Sequence, residues 1–249
     1  ECTAMACVST AAHLAELDST DSALLDPLLG ALLGQDAALG LTVADYDALA
    51  NADVTLGELL DQLQLTLGVA TPEDVLEANL TLPQLIDALD ALLPGNIGVD
   101  ALQALPDIPG PIVLGELLTL SGTPASLGAS NLNLLDLVVA SIQLFNDSNA
   151  VAIQAVALSD AALTALGLPA LGIDGVSLRA SVLESPQIVC GPAGVIFNSA
   201  NVRVALDVAL DTPSTQLTAL DLDVLTLSVT VTPALTLASL SLYVDIAGG

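Results

Sequence analysis

The chain has 249 residues, of which 53% are hydrophobic and 12% charged, and its formal net charge is −27 at pH 7. It has no tryptophan and no lysine, and the cationic side chains that are always charged are Arg179 and Arg203. A field this negative repels phosphate backbones and anionic lipid, which argues against nucleic acid and membrane surfaces as partners. The apolar content argues against a disordered chain.

Residues 1–40 are predicted to form an N-terminal helical segment. Within them, residues 9–34 (STAAHLAELDSTDSALLDPLLGALLG) repeat Ala and Leu with helical periodicity, and Asp26-Pro27 and Gly34 are expected to divide them into short helices. The only histidine, His13, has no catalytic partner near it and is interpreted as a surface or capping residue. The chain begins at Glu1 without a basic stretch followed by an apolar one, which is typical of a processed product.

The disulfide candidates are Cys2 and Cys7 at the N-terminus and the distant Cys190. Three cysteines allow three single pairings, and each pairing leaves one thiol over. Export would favour at least one disulfide, and the odd cysteine could then link subunits. The alternative for Cys190 is a small buried hydrophobic residue.

Residues 41–149 predict a helix-rich region built from a recurring phrase. The phrase joins a short apolar-polar-apolar stretch, which favours a strand, to a Leu-rich run with one apolar helix face. It occurs as VTLGELLDQL (54–63), LTLPQLIDAL (80–89), IVLGELLTLS (112–121) and LNLLDLVVAS (132–141). Thr71-Pro72-Glu73-Asp74 predicts a capped helix start. Because the intervals between the phrases are irregular, we expect small strand-plus-helix units on one core and no solenoid.

Residues 150–249 predict a β-rich region that ends in amphipathic strands. Alternation in residues 150–158, 175–192 and 201–211 indicates strands. No charged residue lies between Val224 and Val244, but the two-residue alternation with Ser and Thr argues against a membrane anchor and favours a hairpin or meander broken near Pro233.

Terminal strands of this kind can complete the sheet of a neighbouring subunit, although pairing within their own domain is the alternative. The candidate assembly residues are the apolar positions Leu225, Leu227, Val229, Val231, Leu240, Leu242, Val244 and Ile246.

The motifs of the common catalytic sites do not occur in the chain. Without lysine there is no phosphate-loop lysine, and G-x-S-x-G, H-E-x-x-H and G-x-G-x-x-G are absent. The carboxylate pairs lack the aromatic surroundings of a sugar-binding cleft and the spacing of a calcium loop, so no cofactor is predicted, with Ca²⁺ as the open alternative. These pairs are Asp45/Asp47, Asp87/Asp90 and Asp221/Asp223. Asn79-Leu80-Thr81 and Asn146-Asp147-Ser148 match the N-glycosylation pattern. We predict that the protein is not an enzyme.

Several stretches resemble a known family. LTVADYDALANADVTLGELLDQL, continued by GVATPEDVL, is similar to the central region of bacterial TadG-like proteins, which are associated with Tad/Flp pilus assembly. The stretches LGELL, NLLDLVVASIQLFN and ESPQIVCGPAG resemble the same family, with Cys190 where an aliphatic residue is expected. The resemblance covers residues 40–195 and implies an exported domain whose motifs serve packing and turns.

These observations predict an α+β fold with short helices and short strands in the N-terminal and central parts and an antiparallel β-rich region at the C-terminus. We expect a non-enzymatic, exported bacterial structural protein at the cell surface or outside the cell. It would form a filament or surface assembly with copies of itself or with other pilus and envelope proteins. The alternative is a soluble, pilus-associated binding module of the periplasm or cell surface that captures a protein or Ca²⁺. No nucleic acid and no membrane insertion of this chain are expected.

Overall fold

The structure is a computed structural model, and it describes residues 5–9, 19–35, 38–105, 110–148, 156–158, 173–184, 186–192, 201–210, 220–224, 227–231 and 239–247. The described helices are α1 (Ser19–Leu32), α2 (Val43–Ala50), α3 (Leu56–Leu67), α4 (Pro72–Glu77), α5 (Leu82–Leu92), α6 (Ile97–Gln103), α7 (Leu114–Leu117), α8 (Pro124–Leu127) and α9 (Leu134–Ser148). The described strands are β1 (Met5–Ser9), β2 (Asp53–Thr55), β3 (Asn79–Thr81), β4 (Pro111–Val113), β5 (Leu118–Leu120), β6 (Asn131–Asn133), β7 (Val156–Ala157), β8 (Ile173–Glu184), β9 (Ile188–Pro192), β10 (Asn201–Leu210), β11 (Leu220–Val224), β12 (Leu227–Val231) and β13 (Ser239–Ala247). The fold is α+β, as predicted.

Helix α1 runs through Pro27, so the predicted break at Asp26-Pro27 is wrong. A proline inside a helix removes one backbone hydrogen bond and crowds the preceding turn. Here tertiary packing outweighs that cost, because every residue from 25 to 33 is buried. The second predicted break is confirmed: the helix ends at Leu32, and Gly34 adopts a φ of 70°, which glycine reaches without strain.

The described residues 42–105 and 110–148 contain four helix–strand–helix units, and each recurring phrase supplies the strand and second helix of one unit. The four units are α2–β2–α3, α4–β3–α5, α6–β4–α7 and α8–β6–α9. The predicted helix start at Thr71 is confirmed. Its hydroxyl accepts a hydrogen bond from the Asp74 N–H, and the Asp74 carboxylate accepts one from the Thr71 N–H.

One pattern of apolar positions produces the strand and the second helix of each unit. The middle residue of the strand, the first residue of the helix and the residues three and four positions later are buried in every unit. Capping boxes formed by Thr55 with Glu58 and by Thr81 with Gln84 mark the change from strand to helix in the first two units. The change of period from two to 3.6 therefore keeps the apolar side chains on one continuous face.

The strands join the first unit to the fourth and the second unit to the third. Strand β2 is antiparallel to β6, and β3 is antiparallel to β4. The first pairing continues into both helices, because Leu56 N–H donates to the Ser130 carbonyl and Leu134 N–H donates to the Ala52 carbonyl, both at 2.9 Å. The four units share one hydrophobic core with α1, as expected for units packed together without solenoid stacking.

Gly98 allows α6 to approach α2 closely, which gives a test of this packing. A Cβ at Gly98 would lie 2.5 Å from the Asp45 carbonyl oxygen and 2.6 Å from Leu49 Cγ. Because a backbone oxygen cannot rotate away, we expect Gly98→Ala to lower the free energy of unfolding by about 2–3 kcal/mol. Gly68→Ala is the control: its Cβ would meet no atom within 4 Å. That variant should lose only about 1 kcal/mol for its positive φ. Equal losses in urea denaturation would contradict the close approach.

The C-terminal part of the chain forms antiparallel strands, as predicted. Strands β8, β10 and β13 lie in a sheet of order β13-β10-β8-β7, and β11 pairs with β12. The register aligns the apolar positions of β10 with those of β13, for example Leu206 with Leu242 and Val204 with Val244. The predicted break near Pro233 falls between β12 and β13, outside the described residues. Within the described ranges, no helix has the length and apolar character needed to cross a membrane.

Candidate functional site

Cys7 and Cys190 form a disulfide that crosslinks the N-terminal strand to the C-terminal part of the chain. They lie opposite each other in the antiparallel β1–β9 pair, with their Cα atoms 4.0 Å apart. Strand β9 also pairs in parallel with β5, so the sheet β1-β9-β5 connects the N-terminal strand and residues 188–192 to the strand that directly follows α7. The structure thus selects one of the three pairings that the sequence left open. Cys190 is also fully buried, and Cys2 lies outside the described residues.

The candidate assembly residues lie in two different sheets. Those on β13 are Leu240, Leu242, Val244 and Ile246, and those on β12 are Leu227, Val229 and Val231. Leu225 lies outside the described residues. The hairpin is formed by β11 and β12, whereas β13 pairs with β10, a strand of similar length that comes earlier in the sequence.

Strand β13 lies at one end of its sheet. It pairs with β10 over nine positions and has no second partner strand among the described residues. An edge strand of this length presents backbone N–H and C=O groups that can recruit another strand. Its only charged residue is Asp245, so the strand adds little to the repulsion between two copies of a chain with a net charge of −27. Strand β12 is also an edge strand, since it pairs with β11 alone among the described residues, but it has five residues and β13 has nine. Of the two predicted assembly segments, β13 therefore offers the longer edge.

A buried carboxylate, Asp26, holds the start of the first unit against α1. Its Oδ1 accepts hydrogen bonds from the Tyr46 hydroxyl at 3.1 Å and the Leu41 N–H at 2.9 Å, and its Oδ2 accepts one from the Gly40 N–H at 2.9 Å. Burial raises the pKa of Asp26, and the three hydrogen bonds offset that rise only in part. Burial, together with the Asp26 charge, also raises the pKa of Tyr46, so the hydroxyl keeps its proton and remains a donor.

Asp26 and Tyr46 were not identified from the sequence. The available signal was a single acidic residue inside the apolar run LLDPLL, which indicates either an exposed position or a buried carboxylate with its own donors. Nothing in the sequence shows that residues 40 and 41 supply two of these donors. With Asp26 8% exposed and Tyr46 fully buried, the pair fixes the path of the chain.

Asn146 ties α9 to two other elements in a similar way. Its Nδ2 donates to the Leu32 carbonyl at 2.7 Å, and its Oδ1 accepts a hydrogen bond from the Val182 N–H at 3.2 Å. The side chain is 5% exposed. It therefore connects the last of the four units to α1 and to strand β8.

Among the side chains that the structure describes, the carboxylate pairs are not gathered into one site. Asp45 accepts hydrogen bonds from the Thr42 N–H and hydroxyl at the start of α2, while Asp47 and Asp87 are exposed. Asp221 and Asp223 lie on β11. Among the described residues, no group of three or more His, Cys, Asp or Glu side chains is arranged to hold a metal ion. His13 lies outside the described residues.

A groove of about 320 Å³ lies between α5 and α6. Its lining includes the buried Leu82, Ile86 and Leu102 and the exposed Asp87 and Gln103. The surface that lines the groove is therefore both polar and apolar.

The four units and α1 coincide with the part of the chain that matches a family model. Residues 21–143 match a domain of unknown function (DUF8293). The match begins within α1 and ends within α9, so the DUF8293-like region contains α1 and the four units, apart from their first and last residues. The disulfide and the C-terminal strands lie outside it. Neither the curated proteins nor the solved structures contain a match to the chain.

Proposed function

We propose that the protein is a non-enzymatic, exported structural protein, and that copies of it associate in an extracellular filament or a cell-surface assembly. The observation that carries the proposal is the position of β13 at one end of its sheet, with one partner strand among the described residues. A second copy can add a strand there through backbone hydrogen bonds. The Cys7–Cys190 disulfide supports export, because such crosslinks persist in oxidising compartments and are rare in the cytosol.

The resemblance to TadG-like proteins supports a place for this assembly at a bacterial pilus or envelope. The stretches that carry the resemblance, among them LGELL and NLLDLVVASIQLFN, form the strand-to-helix units and their core. In this proposal the DUF8293-like region is a rigid body, and the strands outside it form the contacts between subunits.

The test is the mass of the native protein in solution, with electron microscopy of the same material. We expect oligomers or filaments whose mass is a multiple of 24.9 kDa. Association should increase with salt, because salt screens the repulsion between chains that each carry a net charge of −27. A monomer at every salt and calcium concentration would overturn the proposal. A calcium-dependent rise in Tm without a change in mass would instead support the alternative, a binding module.

A pair of lysine substitutions tests the role of β13. Ser241→Lys adds a charge to the edge strand, and we expect it to reduce the association constant by at least tenfold, because charged edges resist strand addition. Ser177→Lys is the matched control: it makes the same change of residue and charge opposite the same residue, Asp207, at a position of β8 that pairs with β10 on one side and with β7 on the other. Light scattering at one salt concentration compares the two variants. An equal loss of association in both would show that charge alone, and not the edge, is responsible.

A non-reducing gel tests the odd cysteine. If Cys2 links subunits, we expect a ladder of covalent multimers that disappears in Cys2→Ser while the non-covalent oligomers remain. The Cys7–Cys190 crosslink within each chain should be unaffected by this change.

A further inference from the structure

We propose that Asn79, and not Asn146, accepts an N-linked oligosaccharide when the chain is exported through a pathway that contains the transferase. The proposal rests on the export that is part of the proposed function. In the reaction, the Asn79 side-chain nitrogen forms a bond to the anomeric carbon of a sugar carried on a lipid pyrophosphate. The bond from that carbon to the pyrophosphate oxygen breaks, the lipid pyrophosphate leaves, and the amide gives up one proton.

The folded protein can carry a glycan on Asn79. This asparagine is the first residue of β3 and is exposed, while the next residue, Leu80, is fully buried. N-linked sugars are bulky and occupy surface positions. A glycan on Asn79 therefore fits the fold without disturbing the core beneath it.

The hydroxyl of Thr81 indicates when the transfer takes place. The acceptor pattern requires a hydroxyl residue at this position. In the folded protein that hydroxyl donates to the Gln84 Oε1 at 3.0 Å and accepts the Gln84 N–H at 3.4 Å, which caps α5. Transfer to Asn79 thus precedes the closing of this cap, during export and before the second unit has folded.

Asn146 matches the same pattern but cannot carry a glycan in this fold. Its Nδ2, the atom that would bind the sugar, donates to the Leu32 carbonyl at 2.7 Å, and the residue is 5% exposed. A sugar at Asn146 would displace α1 and β8 from α9, because the same side chain also binds the Val182 N–H. Chains modified there would fail to reach the folded state.

The fourth unit contains a natural control. Asn131 is the exposed first residue of β6, followed by the buried Leu132, just as Asn79 is followed by Leu80 in β3. Two residues after Asn131 lies Asn133, where the second unit has Thr81. Asn131 shares the position of Asn79 and lacks the hydroxyl, so it should remain unmodified.

The experiment is secretion of the full chain, behind a cleavable signal peptide, from a eukaryotic host with N-glycosylation machinery. Intact mass is measured before and after treatment with peptide-N-glycosidase, and peptide mapping then locates the modified asparagine. We expect one glycan per folded chain, on Asn79, and none on Asn131 or Asn146. Asn79→Gln should remove the glycan completely and leave Tm within experimental error, because the side chain it changes is exposed. Asn133→Thr, which completes the pattern after Asn131, should add a second glycan there.

An unmodified Asn79 in the secreted, folded protein would overturn the proposal, as would a glycan on Asn146 in protein with the native melting transition. Because the signal peptide imposes export, neither outcome bears on self-association. Light scattering of the same preparations tests the proposed structural role separately.

Discussion

Replacing Cys7 and Cys190 together by alanine should lower the free energy of unfolding by about 3–5 kcal/mol. The crosslink spans 183 positions of the sequence, so it removes a large loop-closure entropy from the unfolded chain. It also fixes β1, which pairs with β9 alone among the described strands. Denaturation in urea measures the loss, and wild-type protein in reductant should behave like the double variant.

The control for this prediction is Cys2→Ser. If Cys7 pairs with Cys190, Cys2 contributes no crosslink within the chain, and the free energy of unfolding should stay the same. A loss in Cys2→Ser as large as that of the double variant would mean that Cys2 takes part in the stabilising disulfide. Hydrogen exchange adds a local readout: the amides of residues 5–9 should lose protection first when the bond is reduced.

Asp26→Ala should lower the free energy of unfolding by about 3 kcal/mol at neutral pH. The substitution leaves the Tyr46 hydroxyl and the Leu41 N–H without their acceptor inside the protein. The N–H of the exposed Gly40 can donate to water instead. Tyr46→Phe removes one donor and keeps the carboxylate, so its cost should be about 1 kcal/mol. Urea denaturation of both variants tests the order. A larger loss in Tyr46→Phe would contradict the role of Asp26 as the shared acceptor.

The same carboxyl makes stability depend on pH with a defined sign. Because the folded-state pKa of Asp26 lies above its ordinary value of 3.8, the folded protein binds this proton more tightly than the unfolded chain does. The stabilisation linked to this proton is fully present below pH 3.8 and is lost as pH rises through the folded-state pKa. We therefore compare the free energies of unfolding of wild type and Asp26→Asn at constant ionic strength. The stability of wild type relative to the variant should increase as the pH falls to about 4. A difference that is flat with pH, or that moves the other way, would contradict the raised pKa.

Local patterns predicted most of the secondary structure. The four phrases each gave a strand and a helix because the apolar period changes from two to 3.6 within ten residues, and capping boxes at Thr55 and Thr81 mark that change in the first two. Strands β8, β9 and β10 followed from alternation in the same way. The break at Asp26-Pro27 was predicted wrongly, because the burial of residues 25–33 that outweighs the proline cost comes from distant elements.

Candidate sites were less accessible to sequence reasoning. The cysteines were identified as a set, but their pairing depends on the register of β1 and β9, which are separated by most of the chain. Asp26 was missed because its donors at residues 40 and 41 become neighbours only when the chain turns back on α1. The two glycosylation patterns look equivalent in the sequence, and only burial distinguishes Asn79 from Asn146.

The sequence by itself determined the α+β class, the four strand-to-helix phrases and the amphipathic character of the terminal strands, because periodicity and capping act between residues close in the chain. The tertiary structure decided which strands pair: the first unit with the fourth, the second with the third, and β13 with β10. It also decided that Cys7 bonds to Cys190 and that Asn146 is buried. These outcomes depend on which apolar faces pack together across long sequence separations. Many alternative strand pairings are compatible with the same local patterns, and only burial in one common core selects among them.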